Sequence, residues 1–345
     1  MTILYIMTVI NNIEIDNIQY SKNEIKEAIV NNDPVEDKLH VVIIISNPCL
    51  YARRYVLIKE FIKRTEMEET NVVLYVVELA YKNQKFIITD KHNDRHLQLR
   101  TETSPIWHKE NMINLGVKKL LPDNWKAFAW IDSDVEFENP AWAADTLKIL
   151  NGSKDIVQLF SHCVDMDIKG HTMHIASSFC NQYSKKIPYV TTALDFWHPG
   201  YAWACTRKAY DKMGGIYERA ILGSGDNVMA LCLIGNGDKS INPLSTEDYK
   251  KSVAMFQERV KNFRIGYVPG VIRHHFHGSK KHRKYMDRWK ILLKYGFEPS
   301  KHLTNDENGL LIPSDKCPVG MLDEIYRYFS ERNEDEFFHG HPAKN

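Results

Sequence analysis

Two aspartates stand at the end of an apolar run in the middle of the chain. Residues 128–131 read Phe-Ala-Trp-Ile and lead directly into Asp132, Ser133 and Asp134. Side chains at positions i and i+2 of an extended chain project to the same side, so the two carboxylates can converge on one cation. Divalent ions such as Mn²⁺ and Mg²⁺ prefer oxygen ligands and also bind phosphate oxygens. The segment therefore predicts a metal site at the tip of a buried strand, with a solvated turn as the alternative.

A third aspartate lies in a glycine-rich segment, Gly223-Ser224-Gly225-Asp226. Glycines allow such a loop to approach a ligand closely. A carboxylate within hydrogen-bond reach of an acceptor hydroxyl can act as its general base. The alternative for Asp226 is a helix N-cap, a position at which aspartate is favoured.

Three histidines follow a strand-like run: His274, His275 and His277. This density indicates a metal site, although single histidines in proteins are more often structural. The basic residues Lys281 and Arg283 come next. Such residues can bind an anionic ligand, or else they form the solvated start of a basic helix.

The segments that carry these residues alternate between strand and helix patterns. Residues 39–45 form a β-branched run of the kind that is buried on both faces of a parallel sheet. Further strands are predicted at 71–77, 86–88, 128–131 and 155–160, helices at 53–66, 107–120, 141–150 and 285–294, loops at 161–195 and a mobile tail from 333. The alternation predicts an α/β fold with a mixed, mainly parallel sheet flanked by helices.

Composition and missing motifs exclude several classes of protein. The net charge of +1 over 345 residues does not support a protein that coats nucleic acid, and the six cysteines contain no CxxC pair that would indicate a zinc ribbon. Neither GxGxxG nor GxxxxGK follows the first strand, which argues against dinucleotide-binding dehydrogenases and P-loop enzymes. The apolar N-terminus is interrupted after about ten residues, too few to span a bilayer. We therefore expect a cytoplasmic protein without a membrane span.

The order of these motifs resembles that of GT-A glycosyltransferases. The acidic DxD strand is followed by a Gly-aromatic loop at 200–204, the GSGD segment, and a segment of histidine, glycine and basic residues. The resemblance covers residues 39–295, expected to form a GT-A-like, Rossmann-like catalytic domain. Residues 1–38 would be an N-terminal extension, and residues 296–345 a segment that packs on the domain and ends in the mobile tail.

The resemblance implies roles for the metal-binding candidates. Asp134 would be the main ligand of Mn²⁺ or Mg²⁺, and Asp132 would contact the donor ribose or share the metal. A histidine near the end of the domain would complete the site. His275 matches the family's His-x-x-Gly-x-x-Lys spacing, whereas His277 directly precedes Gly278. We favour His277 over His275.

The resemblance also implies a base and two sets of substrate contacts. Asp226 would deprotonate the acceptor hydroxyl and give inversion, although many relatives have two acidic residues there, and retaining enzymes of this fold need none. The implied donor contacts are Asn47, Arg54, Lys109, Asn114, Asp132, Lys281 and Arg283. Trp197, Tyr201 and Trp203 would stack on acceptor sugar rings, with core packing as the alternative.

The resemblance therefore implies a metal-dependent glycosyltransferase that moves a sugar from a nucleoside diphosphate, by family frequency UDP, to a hydroxyl of a glycan, protein or other acceptor. One alternative is a metal-dependent hydrolase that uses His275 and His277. Another is a carbohydrate-binding protein without catalysis. A sugar-nucleotide pyrophosphorylase is disfavoured because its Gly-rich start is missing after the first strand.

Overall fold

A computed structural model describes residues 8–10, 13–15, 38–68, 71–151, 153–190, 196–284 and 288–336. The strands are β1 Thr8–Ile10, β2 Ile13–Ile15, β3 Leu39–Ser46, β4 Val72–Tyr81, β5 His96–Thr101, β6 Ala127–Ile131, β7 Val135–Phe137, β8 Ile156–Gln158, β9 His162–Met166, β10 Thr172–Ser178, β11 Trp197–His198, β12 Ala202–Thr206, β13 Ile265–Tyr267, β14 Val271–His274, β15 Leu303–Asn305 and β16 Leu311–Pro313. The helices are α1 Ala52–Glu68, α2 Lys109–Leu120, α3 Trp142–Leu150, α4 Phe179–Ser184, α5 Arg207–Met213, α6 Gly225–Leu233, α7 Glu247–Val260, α8 Trp289–Lys294, α9 Pro299–His302 and α10 Val319–Glu331, with short 3-10 helices at Gly237–Ser240 and Lys280–Arg283.

The central sheet has seven strands in the order β13-β8-β12-β6-β3-β4-β5. Only β12 runs antiparallel to its neighbours; the other pairings in this sheet are parallel. Strand β3 lies inside the sheet, with Val42 in the apolar core on one face and Val41 and Ile43 in the core on the other. A strand buried on both faces explains the continuous apolar run in the sequence. The predicted fold class, a mixed, mainly parallel sheet flanked by helices, is confirmed.

A second sheet of five strands has the order β11-β10-β9-β14-β7. Strand β7 begins directly after the DxD segment, and it pairs antiparallel with β14 so that Val135 lies opposite His274. Strand β14 also pairs with β9 in parallel, which puts His274 beside Asp165. This register brings the DxD segment and the histidines together although about 140 residues separate them in the chain.

Two secondary-structure predictions are wrong. Residues 86–88 form a loop, because the backbone N–H groups of Ile87, Ile88 and Thr89 donate hydrogen bonds to the buried Glu78 carboxylate at 2.8 to 3.1 Å. The next strand is β5 instead. Residues 161–195, predicted as loops, contain β9, β10 and α4. Strand β10 is largely exposed at its start, so it shows little apolar periodicity.

The C-terminal residues pack against the rest of the protein through α10, whose buried side chains include Met321 and Ile325. The tail was expected to be mobile from Asn333, yet Glu334 is only 2% exposed. Residues 337–345 lie outside the described part of the chain, as do nearly all of residues 1–38. Within the described ranges, none of the helices is both long and apolar enough to cross a bilayer.

Candidate functional site

The DxD segment opens into a cavity at the carboxyl edge of the central sheet. All five residues of β6 are buried, and the strand ends directly before Asp132. The Asp132 N–H donates to the Tyr201 carbonyl oxygen at 2.7 Å, and the Val135 N–H donates to the Asp132 carbonyl oxygen at 3.3 Å. These bonds fix a tight turn in which both Asp132 and Asp134 line the cavity. Ligands of open α/β sheets bind at this edge.

Asp134 lies next to two histidines. Its Oδ2 is 2.9 Å from His277 Nε2 and 3.7 Å from His274 Nε2, and the two imidazole Nε2 atoms are 3.1 Å apart. Its other carboxylate oxygen, Oδ1, is buried and has no hydrogen-bond partner among the described residues. One carboxylate and two imidazoles directed at a common point are a ligand set that suits Mn²⁺ and related ions. The residues present therefore fit a divalent metal.

The electrostatics of this cluster favour positive charge. Burial alone would lower the pKa of His274, but the carboxylates of Asp134 and Asp165 raise it to about 9. Burial likewise opposes ionisation of Asp134, yet His277 and His274 hold its pKa well below the usual range. The carboxylates of Asp134 and Asp165 thus favour a positive charge at this cluster.

Asp165 orients His274 from the opposite side. Its Oδ1 is 2.8 Å from His274 Nδ1, and it also accepts a hydrogen bond of 3.1 Å from the Tyr201 hydroxyl. The Lys280 ammonium forms an ion pair with the same carboxylate. A carboxylate on the second ring nitrogen fixes the tautomer and orientation of a metal-binding histidine. Only the register between β9 and β14 reveals Asp165, because nothing in its local sequence distinguishes it.

His275, the less favoured alternative to His277 in the sequence-based prediction, lies outside this cluster. Its Nε2 is 3.1 Å from Glu136 Oε2. Neighbouring residues of an extended chain point to opposite sides, so His274 and His275 cannot both face Asp134. The structure brings His274 and His277, three residues apart in the sequence, to Asp134, because the strand ends at His274 and its geometry does not continue to His277.

Four of the predicted donor contacts, besides Asp132, line the cavity: Asn47, Arg54, Lys109 and Arg283. The Lys109 ammonium forms an ion pair with Asp132. Burial would lower the pKa of Lys109, but the charges of Asp132 and Asp226 raise it, so the side chain is a fixed cation. The Asn47 amide is engaged within its own loop, where its Nδ2 donates to the Tyr51 carbonyl oxygen at 2.9 Å.

The other two predicted donor contacts lie elsewhere. Asn114 is on the far side of α2, where its Nδ2 donates to the Ile216 carbonyl oxygen at 2.9 Å and to Glu218 at 3.0 Å. Lys281 is largely exposed, with its ammonium 3.8 Å from Glu336. The structure does not bring either residue to the cavity.

Asp226 lies in the first turn of α6, on the Lys109 side of the cavity. Ser224 occupies the N-cap position, so Asp226 is not the cap. A Cβ at Gly200 would lie 2.7 Å from Asp226 Oδ2, which explains why glycine is needed there. Arg288 holds the preceding loop by donating to the Leu222 carbonyl oxygen at 3.0 Å. The carboxylate is thus fixed beside Lys109, the partner of Asp132.

The predicted acceptor aromatics divide into two groups. Trp197 and Trp203 are 4% and 1% exposed and pack in the core. Core packing was the stated alternative to stacking on acceptor sugars. Tyr201 lies beside His274, one of the three candidate metal ligands, and is stacked on His198 with ring centroids 4.1 Å apart. Sequence reasoning missed His198, which directly follows Trp197. Its position is set by the pairing of β11 with β10.

No protein-family model matches this chain, and no curated protein matches it. Among solved structures, the chain is similar to the catalytic domain of Drosophila β1,4-galactosyltransferase 7 in complex with xylobiose, at 10% identity and a TM-score of 0.39, over 84% of this chain and 99% of the other. It is also similar to the mannosyltransferase PcManGT from Pyrobaculum calidifontis in complex with GDP-Man and Mn²⁺, at 13% identity and a TM-score of 0.39, over 79% of this chain and 69% of the other.

A third similar structure is a putative nucleotide-diphospho-sugar transferase from Desulfovibrio desulfuricans, at 9% identity and a TM-score of 0.33, over 69% of this chain and 82% of the other. All three are named as sugar transferases. At such identities and TM-scores the overlap assigns no activity to this chain, so a functional proposal has to rest on the geometry of the cavity.

Proposed function

We propose that this protein is a metal-dependent glycosyltransferase that transfers a sugar from a nucleoside diphosphate to an acceptor hydroxyl. The observation that carries the proposal is the convergence of Asp134, His274 and His277 at the end of a buried strand. The unpartnered Asp134 Oδ1 and the adjacent pair of Lys109 and Asp132 support it. A metal-ligand set and fixed cations in one cavity suit a ligand that carries phosphate groups.

The side chains around the cavity divide the work of binding the donor. Asp134, His274 and His277 would hold the divalent ion, which, when bound, supplies Lewis-acid stabilisation to the departing nucleoside diphosphate. Arg54, Lys109 and Arg283, which line the same cavity, would bind phosphate oxygens by charge-assisted hydrogen bonds. Asp132 would accept a hydrogen bond from the donor ribose.

Asp226 is the proposed general base. Its carboxylate would take the proton of the acceptor hydroxyl while that oxygen attacks the anomeric carbon and the bond from this carbon to the diphosphate oxygen breaks. Attack from the side opposite the leaving group inverts the configuration. Gly200 and Arg288 would position the carboxylate, because they set its approach and its loop. A UDP-sugar is the proposed donor because UDP-sugars are the most frequent donors in the family. The proposed acceptor is a hydroxyl group of a glycan, protein or other molecule.

The test measures nucleoside diphosphate release over a panel of nucleotide sugars, with Mn²⁺ or with a chelator. We expect the chelator or Asp134→Ala to lower release at least about a hundredfold, because transition-state charge stabilisation by such a group is worth several kcal/mol. Asp226→Asn should lose transfer to a comparable degree while it still binds nucleoside diphosphate. Asp94→Ala, which changes an exposed aspartate in the loop before β5, is the matched control and should retain full activity.

Release that persists at the wild-type rate in Asp134→Ala would contradict the proposal. Release that requires water and never yields a glycosylated alcohol would favour a hydrolase. Sugar binding without any turnover, unchanged in Asp226→Asn, would favour a carbohydrate-binding protein.

A further inference from the structure

The segment that follows α10 forms one wall of the candidate donor cavity. Phe329, Arg332 and Glu334 line the cavity together with Asp132 and Asp134. This segment lies beyond the residues to which the motif order extends. Its contribution to the cavity is therefore a property of the tertiary structure.

Arg332 is the charged side chain through which this wall reaches the cavity. It is 4% exposed. Its Nε donates to Glu334 Oε1 at 2.8 Å, and its guanidinium carbon lies 5.3 Å from the centre of the Trp107 ring system. Its two terminal nitrogens form no hydrogen bond with any residue in the described ranges. A buried guanidinium thus presents unused donors to a cavity that contains a metal-ligand set.

Glu334 holds the orientation of this guanidinium. Its side chain is 1% exposed and also accepts hydrogen bonds from Arg54, at 2.8 Å from Nη2 and 2.5 Å from Nε. One carboxylate therefore serves two arginines. Counted over the whole cavity lining, four Lys and Arg side chains face three carboxylates, so positive charge is in excess even before a metal binds.

We propose that Arg332 binds the phosphate groups of the donor's nucleoside diphosphate and that Glu334 positions it for this contact. The inference rests on the proposed function and adds a phosphate-binding residue from outside the predicted catalytic domain. A planar guanidinium whose two terminal NH2 groups are unbonded in the described part of the chain suits a phosphate better than a neutral base edge, because it forms two parallel charge-assisted hydrogen bonds. The Trp107 ring beneath it keeps the plane of the guanidinium fixed.

Calorimetric titration in the presence of Mn²⁺ tests the proposal with three probes. These are the nucleoside diphosphate that the wild type binds most tightly among the uridine, guanosine, adenosine and cytidine forms, the corresponding nucleoside, and inorganic pyrophosphate. We expect Arg332→Gln to weaken binding of the diphosphate and of pyrophosphate about ten- to a hundredfold. Nucleoside binding should change less than about twofold, since the nucleoside has no phosphate for this residue to contact.

Two further variants make the result specific. Arg332→Lys keeps the charge without the planar fork, so its diphosphate affinity should fall between those of the wild type and Arg332→Gln. Arg327→Gln removes an exposed arginine from the preceding turn of α10 and should bind all three probes as the wild type does. Thermal denaturation shows whether Arg332→Gln is folded. If it is not, Arg332→Lys decides the question, because an unchanged diphosphate affinity of Arg332→Lys overturns the proposal.

The other outcomes separate this inference from the proposed function. A wild type that binds none of the four nucleoside diphosphates defeats both. If the wild type and Arg332→Gln bind the same nucleoside diphosphate with equal affinity, only the role of Arg332 is refuted. An equal loss for nucleoside and diphosphate would place Arg332 at the base and overturn the phosphate assignment.

Discussion

Asp134 directs one carboxylate oxygen at two imidazoles, and its other oxygen meets no donor among the described residues. An acceptor buried without a partner costs about 1–3 kcal/mol. The Nε2 atoms of His274 and His277 are 3.1 Å apart, so one imidazole must donate a hydrogen bond to the other. A divalent ion would satisfy all three side chains at once.

Manganese should therefore stabilise the folded protein through His277 and not through His275. At a Mn²⁺ concentration one hundred times its Kd, the free energy of unfolding should rise by about 2.7 kcal/mol in the wild type. His277→Ala should lose most of this increase, whereas His275→Ala should retain it because His275 faces Glu136. Denaturant unfolding of each variant with and without Mn²⁺ measures the increase directly. An equal loss in both variants would refute the ligand assignment.

At the scale of elements, the pairing of β7 with β14 brings the candidate metal ligands together, and His108 joins other elements at the wall of the cavity. This histidine precedes α2 and is 1% exposed. Its Nδ1 accepts a hydrogen bond from the Tyr81 hydroxyl at the end of β4, at 3.1 Å, and its Nε2 donates to the Leu311 carbonyl oxygen in β16 at 2.9 Å. A neutral imidazole therefore connects the central sheet, α2 and the C-terminal segment.

Acid should loosen this connection. Burial lowers the pKa of His108 to about 4 in the folded protein, whereas the unfolded chain has the ordinary value of 6.5. The unfolded state thus binds more protons between these values, so the stability from this residue is complete above pH 6.5 and declines toward pH 4, by up to about 3 kcal/mol.

His108→Gln lacks the titrating group and should lose less stability over the same interval. Urea unfolding of both proteins between pH 7 and 4 measures the two slopes. Parallel slopes would show that His108 does not control this part of the pH dependence.

At the scale of the whole molecule, the C-terminal segment contacts both the start of α1 and the candidate site. Its Asp335 accepts hydrogen bonds from the Ala52 and Arg53 N–H groups at 2.8 and 2.9 Å, which satisfies the first turn of α1. Glu334 binds Arg54 and lies 3.8 Å from His277 Nδ1. Arg54 of α1, the candidate metal ligand His277 and the C-terminal segment therefore meet at one buried carboxylate.

Removing this carboxylate should cost more stability than removing one of its partners. Glu334→Gln leaves Arg54 and Arg332 without their counter-charge, and we expect a loss of about 3 kcal/mol or more. Arg54→Met leaves Glu334 paired with Arg332 and removes a side chain that is one-quarter exposed, so a loss of about 1–2 kcal/mol is expected. Chemical denaturation of the two variants measures both losses. A smaller loss for Glu334→Gln than for Arg54→Met would contradict the central role of the carboxylate.

The sequence by itself determined the features that depend on local order. The apolar run before Asp132 predicted a buried strand that ends in two carboxylates, and β6 has that position and burial. The alternation of strand and helix patterns predicted the fold class. The strand pattern is visible locally because a strand buried on both faces must be apolar throughout. The loop at residues 86–88 was missed since Glu78 binds its backbone from a neighbouring strand.

Only the tertiary structure decided which side chains meet. Three adjacent histidines carry the same chemistry in the sequence, and the register of β14 against β7 and β9 turned His274 toward Asp134 and Asp165. Glu334 falls in the tail predicted from residue 333, and no sequence pattern distinguished Arg332, yet the fold places both residues at the cavity. The physical reason is that strand register and long-range ion pairs depend on residues far apart in the chain, about which a local pattern carries no information.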